Sequence, residues 1–412
     1  MVNAGKSCAV EGDFFGAPIE KGGRWRGAGP GLDTRSLWPD DRELPLLRAL
    51  VGPETEAGRE WRKWCDAGGF EQLSPRTQQL LPTCHLLRER LAPRTAELAF
   101  LKRAYLSSWA NNQRLFERLR TLLEALGRED CPGLVLKGAA LAPIYYGDLG
   151  ARSMGDVDLL VPEHQFPLAM QIMMANGWRP LHYRPELFDT RFCHAIPMLN
   201  DRGAGVDLHC HVISQSCEVG ADRAFWEQAV RFNADGVEAT TLCTTDHLMH
   251  ACAHGVWWVR DPPLRWIVDV VMILRSRRAS IDWTRVGLQA KERGVGLRVG
   301  RALRFLFDLG LEVPVALAEH LISEADWIER RRLRLATSSS RGRPTRLMAF
   351  HWMMYRRGLK DRGAFKKLAG LADYLRFSTQ SPSATRIPLV LAEKGVKSIA
   401  HRFGFYRYWN SD

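Results

Sequence analysis

The 412-residue sequence lacks any stretch approaching the roughly 18 uninterrupted apolar residues that a spanning helix needs. Its opening, "MVNAGKSCAVEGDFFGAPIEKGG", has no apolar core of the kind that marks a secretory signal. With no transmembrane segment and no export signal, the expected location is the cytoplasm. The nine cysteines are odd in number, scattered and never spaced CxxC, which argues against a disulfide framework and against a zinc ribbon. Reduced, mostly buried thiols are expected instead. The chain also has no HExxH, no His-Asp step, no Cys/His zinc spacing and no internal repeat.

Acidic charge runs short in one region only. From Lys291 onward there are 24 Lys and Arg against 11 Asp and Glu, so the final third carries the whole excess behind the net charge of +12. A positive field of this kind suits a phosphate-bearing substrate, a nucleic acid or simply a solvated helical surface. The segment "RLMAFHWMMYRRGLKDRGAFKKLAGLADYLRF" interleaves aromatics with Arg and Lys, so nucleic-acid binding through a basic C-terminal tail is one expectation and an ordinary packing helix another. With 46% hydrophobic and 25% charged residues, the chain is otherwise composed like a globular protein of two or three packed units.

Pattern divides it further. Residues 1–40 are rich in Gly, Pro and charge, without periodicity, and are expected to be a disordered leader. Residues 41–130 turn helical; in "TAELAFLKRAYLSSWANNQRLFERLRTLLEALG" apolar residues recur every three or four positions, and Gly127 offers a stop. Residues 131–220 alternate short apolar runs with one helix, ended by Gly177. Residues 221–330 read as helical, and 331–412 as a basic helical tail, expected to be dispensable for the fold from about Arg341. The fold class is therefore α+β, a small mixed sheet embedded between helical regions.

Within that sheet, "ARSMGDVDLLVP" presents a difficulty. Side chains alternate along a strand, so Asp156 and Asp158 share one face while Val157 and Leu159 take the other. Two carboxylates this close repel unless a cation or a proton relieves them. Upstream, "LVLKGAAL" ends a strand in Lys137-Gly138, and Ala139 through Tyr145 can wind into a helix whose first N–H groups favour an anion. Downstream, "GAGVDLHCHV" sets Asp207 in another strand pattern. Three carboxylates on adjacent strands beside a phosphate-sized turn are what a two-metal phosphoryl or nucleotidyl transfer site requires, with metals about 4 Å apart.

The run "LVLKGAALAPIYYGDLGARSMGDVDLLV" followed by "VDLHCH" resembles the polymerase-β nucleotidyltransferase superfamily. More narrowly it is similar to the bacterial family of uncharacterised nucleotidyltransferases, whose helical half "DHLMHACAHGVWW", "LRWIVDVVMILRSR" and "IDWTRV" also resemble; the likeness covers about Leu134 to Leu311. It implies a polymerase-β-like core, an NTP substrate and Mg²⁺. Asp156 and Asp158 become metal ligands, and Asp207 the third ligand or the base. The acceptor, whether small molecule, peptide or carbohydrate, is not legible. The turn departs from the family pattern, because Ala139 follows Gly138 where Ser or Gly is usual. Backbone groups of Gly138 and Ala139, with charge from Lys137 or Arg152, would then cradle the phosphates.

Other readings of these residues stay open. Asp156 can cap a turn, Asp158 can pair with Arg152, and Asp207 can lie on an exposed strand face, leaving a non-catalytic nucleotide-binding or partner-binding protein. His209 and His211 share the face of Asp207 if that strand is regular, with His209 the expected partner of Asp207. His247, His250 and His254 fall at helical spacing, as a metal centre or as polar core. Arg265 and Asp269, four apart, suggest an intrahelical ion pair.

Overall fold

The computed structural model describes residues 38–337, apart from 182, 201–204, 235 and 257–261, together with 355, 364–381, 383 and 385. The leader and most of the basic tail lie outside the described residues. The chain separates into two units, one taking in the chain through Ser108, Gly150–Arg152 and the stretch from Ala251, the other Trp109–Leu149, Ser153–His250 and the C-terminal segment.

The first unit is helical. Helices Glu43–Val51, Glu54–Asp66, Arg265–Arg277, Trp283–Glu292, Gly296–Asp308 and Val315–Ser323 bury apolar faces, and Trp38 stacks on Phe305 with ring centroids 4.7 Å apart. Gly300 shows how close two of these helices run: a Cβ there would come 2.8 Å from the carbonyl oxygen of Ala318. Only a glycine lets the backbones meet at that distance.

The second unit is built on a seven-stranded mixed sheet. Its strands are β1 (Leu134–Leu136), β2 (Asp156–Leu160), β3 (Trp178–Pro180), β4 (Ala195–Asn200), β5 (Gly205–His209), β6 (Val230–Ala234) and β7 (Val237–Thr241), in the order β3-β4-β5-β2-β1-β7-β6. β2 runs parallel to β5 and antiparallel to β1, while β7 runs parallel to β1. The alternation of β2 sends Val157 and Leu159 into a hydrophobic core with Val206 and Leu208 of β5, helix residues Phe166, Met170 and Met173, and Leu115 and Leu119 of helix Thr95–Gly127. The opposite face is thereby left to Asp156, Asp158, Asp207 and His209. The eight cysteines among the described residues are free thiols. No helix among the described residues is long and apolar enough to cross a membrane.

One expectation is corrected. The stretch from Asp222 onward is not helical throughout: β6 and β7 form a hairpin closed at Gly236, which has a φ of 79° and donates its N–H to Asn233 Oδ1 at 3.1 Å. Alternation in "VRFN" and "VEATT" around a glycine is the signal for it. In the basic tail, the expectation of an ordinary packing helix is met among the described residues. Helix Ala364–Thr379 sets Tyr374 and Phe377 against the buried Phe192, with ring centroids 5.1 and 5.9 Å from it, and Asp373 receives Arg191 Nη2 at 3.0 Å. Phe377→Ala should therefore lower the unfolding free energy by about 3 kcal/mol, the usual scale for emptying a buried aromatic site. Urea titration of the full chain measures it, and an unchanged midpoint would return this helix to the status of an appendage.

Candidate active site

The end of β1 explains how Lys137 enters the site. Leu136, the last residue of β1, stands opposite Asp158 of β2, so the next residue emerges beside that carboxylate. Lys137 takes a left-handed φ of 47°, unusual outside glycine, and its ammonium donates to Asp158 Oδ1. The positive φ falls on Lys137 rather than on Gly138, which follows in the first turn of helix Lys137–Leu141. A conformation costing on the order of 1–3 kcal/mol persists only where its surroundings hold it. Here the ion pair with Asp158 is what the bend delivers.

The parallel register of β2 and β5 aligns Asp158 directly with Asp207. His209, two residues on, shares the face of Asp207 and reaches across so that its Nε2 lies 3.0 Å from Asp158 Oδ1. The sequence reading gave His209 to Asp207; its hydrogen bond goes to Asp158, because the two strands are level and the ring spans the gap between them. One ligating atom from each of Asp158, Asp207 and His209 falls within 4.8 Å of the others, the one such cluster among the described residues. Two carboxylates and an imidazole, already sharing the positive charge of Lys137, are a donor set that fits a divalent cation.

The two carboxyl groups titrate in opposite directions. Burial alone would raise Asp158, but the Lys137 charge and the His209 hydrogen bond outweigh it and hold Asp158 well below the usual carboxylate range. Asp207 is pushed up, by burial first and then by the negative charge of Asp158, with His209 and Lys137 opposing without cancelling the effect. One member of the pair is thus committed to the charged form, and the other has a raised affinity for a proton.

The remaining expected residues are placed as follows. Asp156 shares the face of Asp158 on β2, half-buried and paired in register with Gly205. Ala139 is buried in the hydrophobic core, so the side chain of the residue after Gly138 packs inward, where a serine hydroxyl would meet apolar atoms. Arg152 belongs to the first unit, where its Nε and Nη2 donate to Asp269 at 2.7 and 2.9 Å with both side chains buried. The anticipated alternative of Asp158 paired with Arg152 is replaced by Lys137, and Asp269, expected beside Arg265, receives Arg152. On helix Thr244–Gly255, His247 Nε2 meets the Thr241 hydroxyl at 3.1 Å, and His250 is fully buried, its pKa held down to about 3 by burial and then by the nearby Lys137 charge. These histidines form no metal cluster among the described residues. The Lys137–Asp158 contact is the functional pairing that sequence reasoning missed, and its only trace there is a lysine placed directly after a strand.

The sequence has a counterpart among known families. A family model described as an uncharacterised nucleotidyltransferase matches residues 61–310, well over half of the chain. No curated protein matches it.

Proposed function

The chain belongs to the uncharacterised nucleotidyltransferase family, and from that premise we propose that it transfers a nucleoside monophosphate from an NTP to a hydroxyl or phosphate of an acceptor, using Mg²⁺ or a related divalent cation. The observation that carries this reading is the cross-strand alignment of Asp158 with Asp207. Asp158, Asp207 and His209 would hold the cation, with Asp156 two residues along the same face available to a second. When bound, the cation supplies neutralisation of phosphate charge and polarisation of the attacking oxygen.

The chain's own residues divide the rest of the work. Asp158, kept ionised, anchors positive charge at the centre of the site. Lys137, half-buried and adjoining it, offers an ammonium to the triphosphate and holds the negative field of the site in check when no substrate is present. Asp207, whose proton affinity is raised, is suited to accept the proton of an acceptor hydroxyl. The buried floor of Val157, Leu159, Val206 and Leu208 keeps these groups at fixed separations from one another.

The test is to incubate the protein with each α-labelled NTP, a divalent cation and fractionated cell extract of small molecules, peptides, carbohydrates or nucleic acids. Pyrophosphate release with label appearing in one fraction is the expected result. An NTP that binds and is never converted would favour the non-catalytic nucleotide-binding alternative.

A further inference from the structure

Resting on the reading above, we propose that His209 Nε2 is itself a ligand of the cation, and that this nitrogen makes the site selective for a borderline ion of the Mn²⁺ type over Mg²⁺. His209 Nδ1 lies 3.2 Å from the backbone carbonyl oxygen of His211 and Nε2 lies 3.0 Å from Asp158 Oδ1, two oxygens that can only accept. A neutral ring has one N–H for the two of them, so with the hydrogen given to the carbonyl, Nε2 turns a lone pair toward the carboxylate. Two lone pairs in contact in a buried place are stable only with something positive between or beside them. In the described chain the Lys137 ammonium on the same Oδ1 supplies that charge.

A metal ion satisfies the same arrangement and also reaches Asp207, whose ligating atom lies within 4.8 Å of the other two. An imidazole whose distal N–H is fixed on a backbone carbonyl is the usual support for a metal-ligating histidine. The choice of ion follows from the donors. Carboxylates and the phosphate oxygens of a nucleotide suit Mg²⁺, Ca²⁺ and Mn²⁺, whereas imidazole suits first-row transition ions, and Mg²⁺ takes oxygen ligands in a strict octahedron. Among the three ions that suit the oxygen donors, Mn²⁺ is the one that also accepts imidazole.

The experiment uses the full chain without nucleotide. Mn²⁺ and Mg²⁺ are titrated separately and in competition, and bound Mn²⁺ is examined by electron spin-echo spectroscopy for coupling to an imidazole nitrogen. The expected result is a single Mn²⁺ bound about tenfold or more tightly than Mg²⁺, with a ¹⁴N coupling that changes to the ¹⁵N pattern in protein grown on ¹⁵N-histidine. His209→Gln should lose the coupling and about tenfold or more in Mn²⁺ affinity, with Mg²⁺ affinity changing far less. The isotope arm needs no substitution, so a variant that fails to fold leaves the test intact. A site that binds both ions equally, or shows no nitrogen coupling, overturns the role of His209 while leaving the nucleotidyltransferase reading standing. A protein to which neither ion binds, alone or with NTP, overturns both.

Discussion

Asp158→Asn is expected to reduce nucleotide transfer by on the order of a thousandfold or more, the largest functional effect of any single substitution in this chain. Asp158 is the common partner of Lys137 and His209 and stands level with Asp207, so its charge organises all three. Asparagine keeps the shape and removes that charge, leaving the Lys137 ammonium without its ion-pair partner. Asp207→Asn should behave differently. Because Asp158 and burial both raise the pKa of Asp207, neutralising it relieves repulsion in the folded protein. The apo variant should be at least as stable as the wild type, yet lose about a hundredfold in turnover. Steady-state rates and melting temperatures measured side by side check the pair; an active Asp158→Asn, or an Asp207→Asn that is both active and destabilised, would contradict these roles.

The second large effect concerns stability. Arg152→Met should cost the first unit about 3–5 kcal/mol, because it strands the buried carboxylate of Asp269 without its bidentate partner. Asp269→Asn should be damaging for the mirror-image reason, and the double variant Arg152→Met/Asp269→Leu should recover much of the loss, since a buried pair replaced by apolar groups is often close to neutral. Denaturant unfolding reads all three. If Arg152→Met instead leaves stability unchanged and weakens NTP affinity, Arg152 serves phosphate, as the sequence suggested.

What the sequence disclosed and what it hid have separate physical origins. The alternation of "DVDLL" is local, so it was enough to put Asp156 and Asp158 on one face and to mark them as costly without a cation. The motif around Asp207 was legible for the same reason. The register between β2 and β5 is not local: more than forty residues of helix, loop and strand intervene, and a slip of one residue would send Asp207 to the other face. That is why His209 was assigned to the neighbouring Asp207, when its partner is Asp158 on the next strand. The Lys137 contact depends on a left-handed residue, which propensity disfavours outside glycine and tertiary structure imposes here. Arg152 was misleading by position. It lies between the Gly138 turn and the paired aspartates, where its charge suggests support for the phosphates, but that charge is taken up by Asp269, more than a hundred residues later.

Calorimetry of the wild type and Asp158→Asn with ATP, CTP, GTP and UTP, each with Mg²⁺, with Mn²⁺ and with EDTA, tests the central claim most directly. A cation-bridged nucleotide site at Asp158 predicts that at least one NTP binds the wild type only when a divalent ion is present, and that this heat disappears in Asp158→Asn. Binding that is indifferent to EDTA or to the substitution, or no binding of any NTP under any condition, would contradict it.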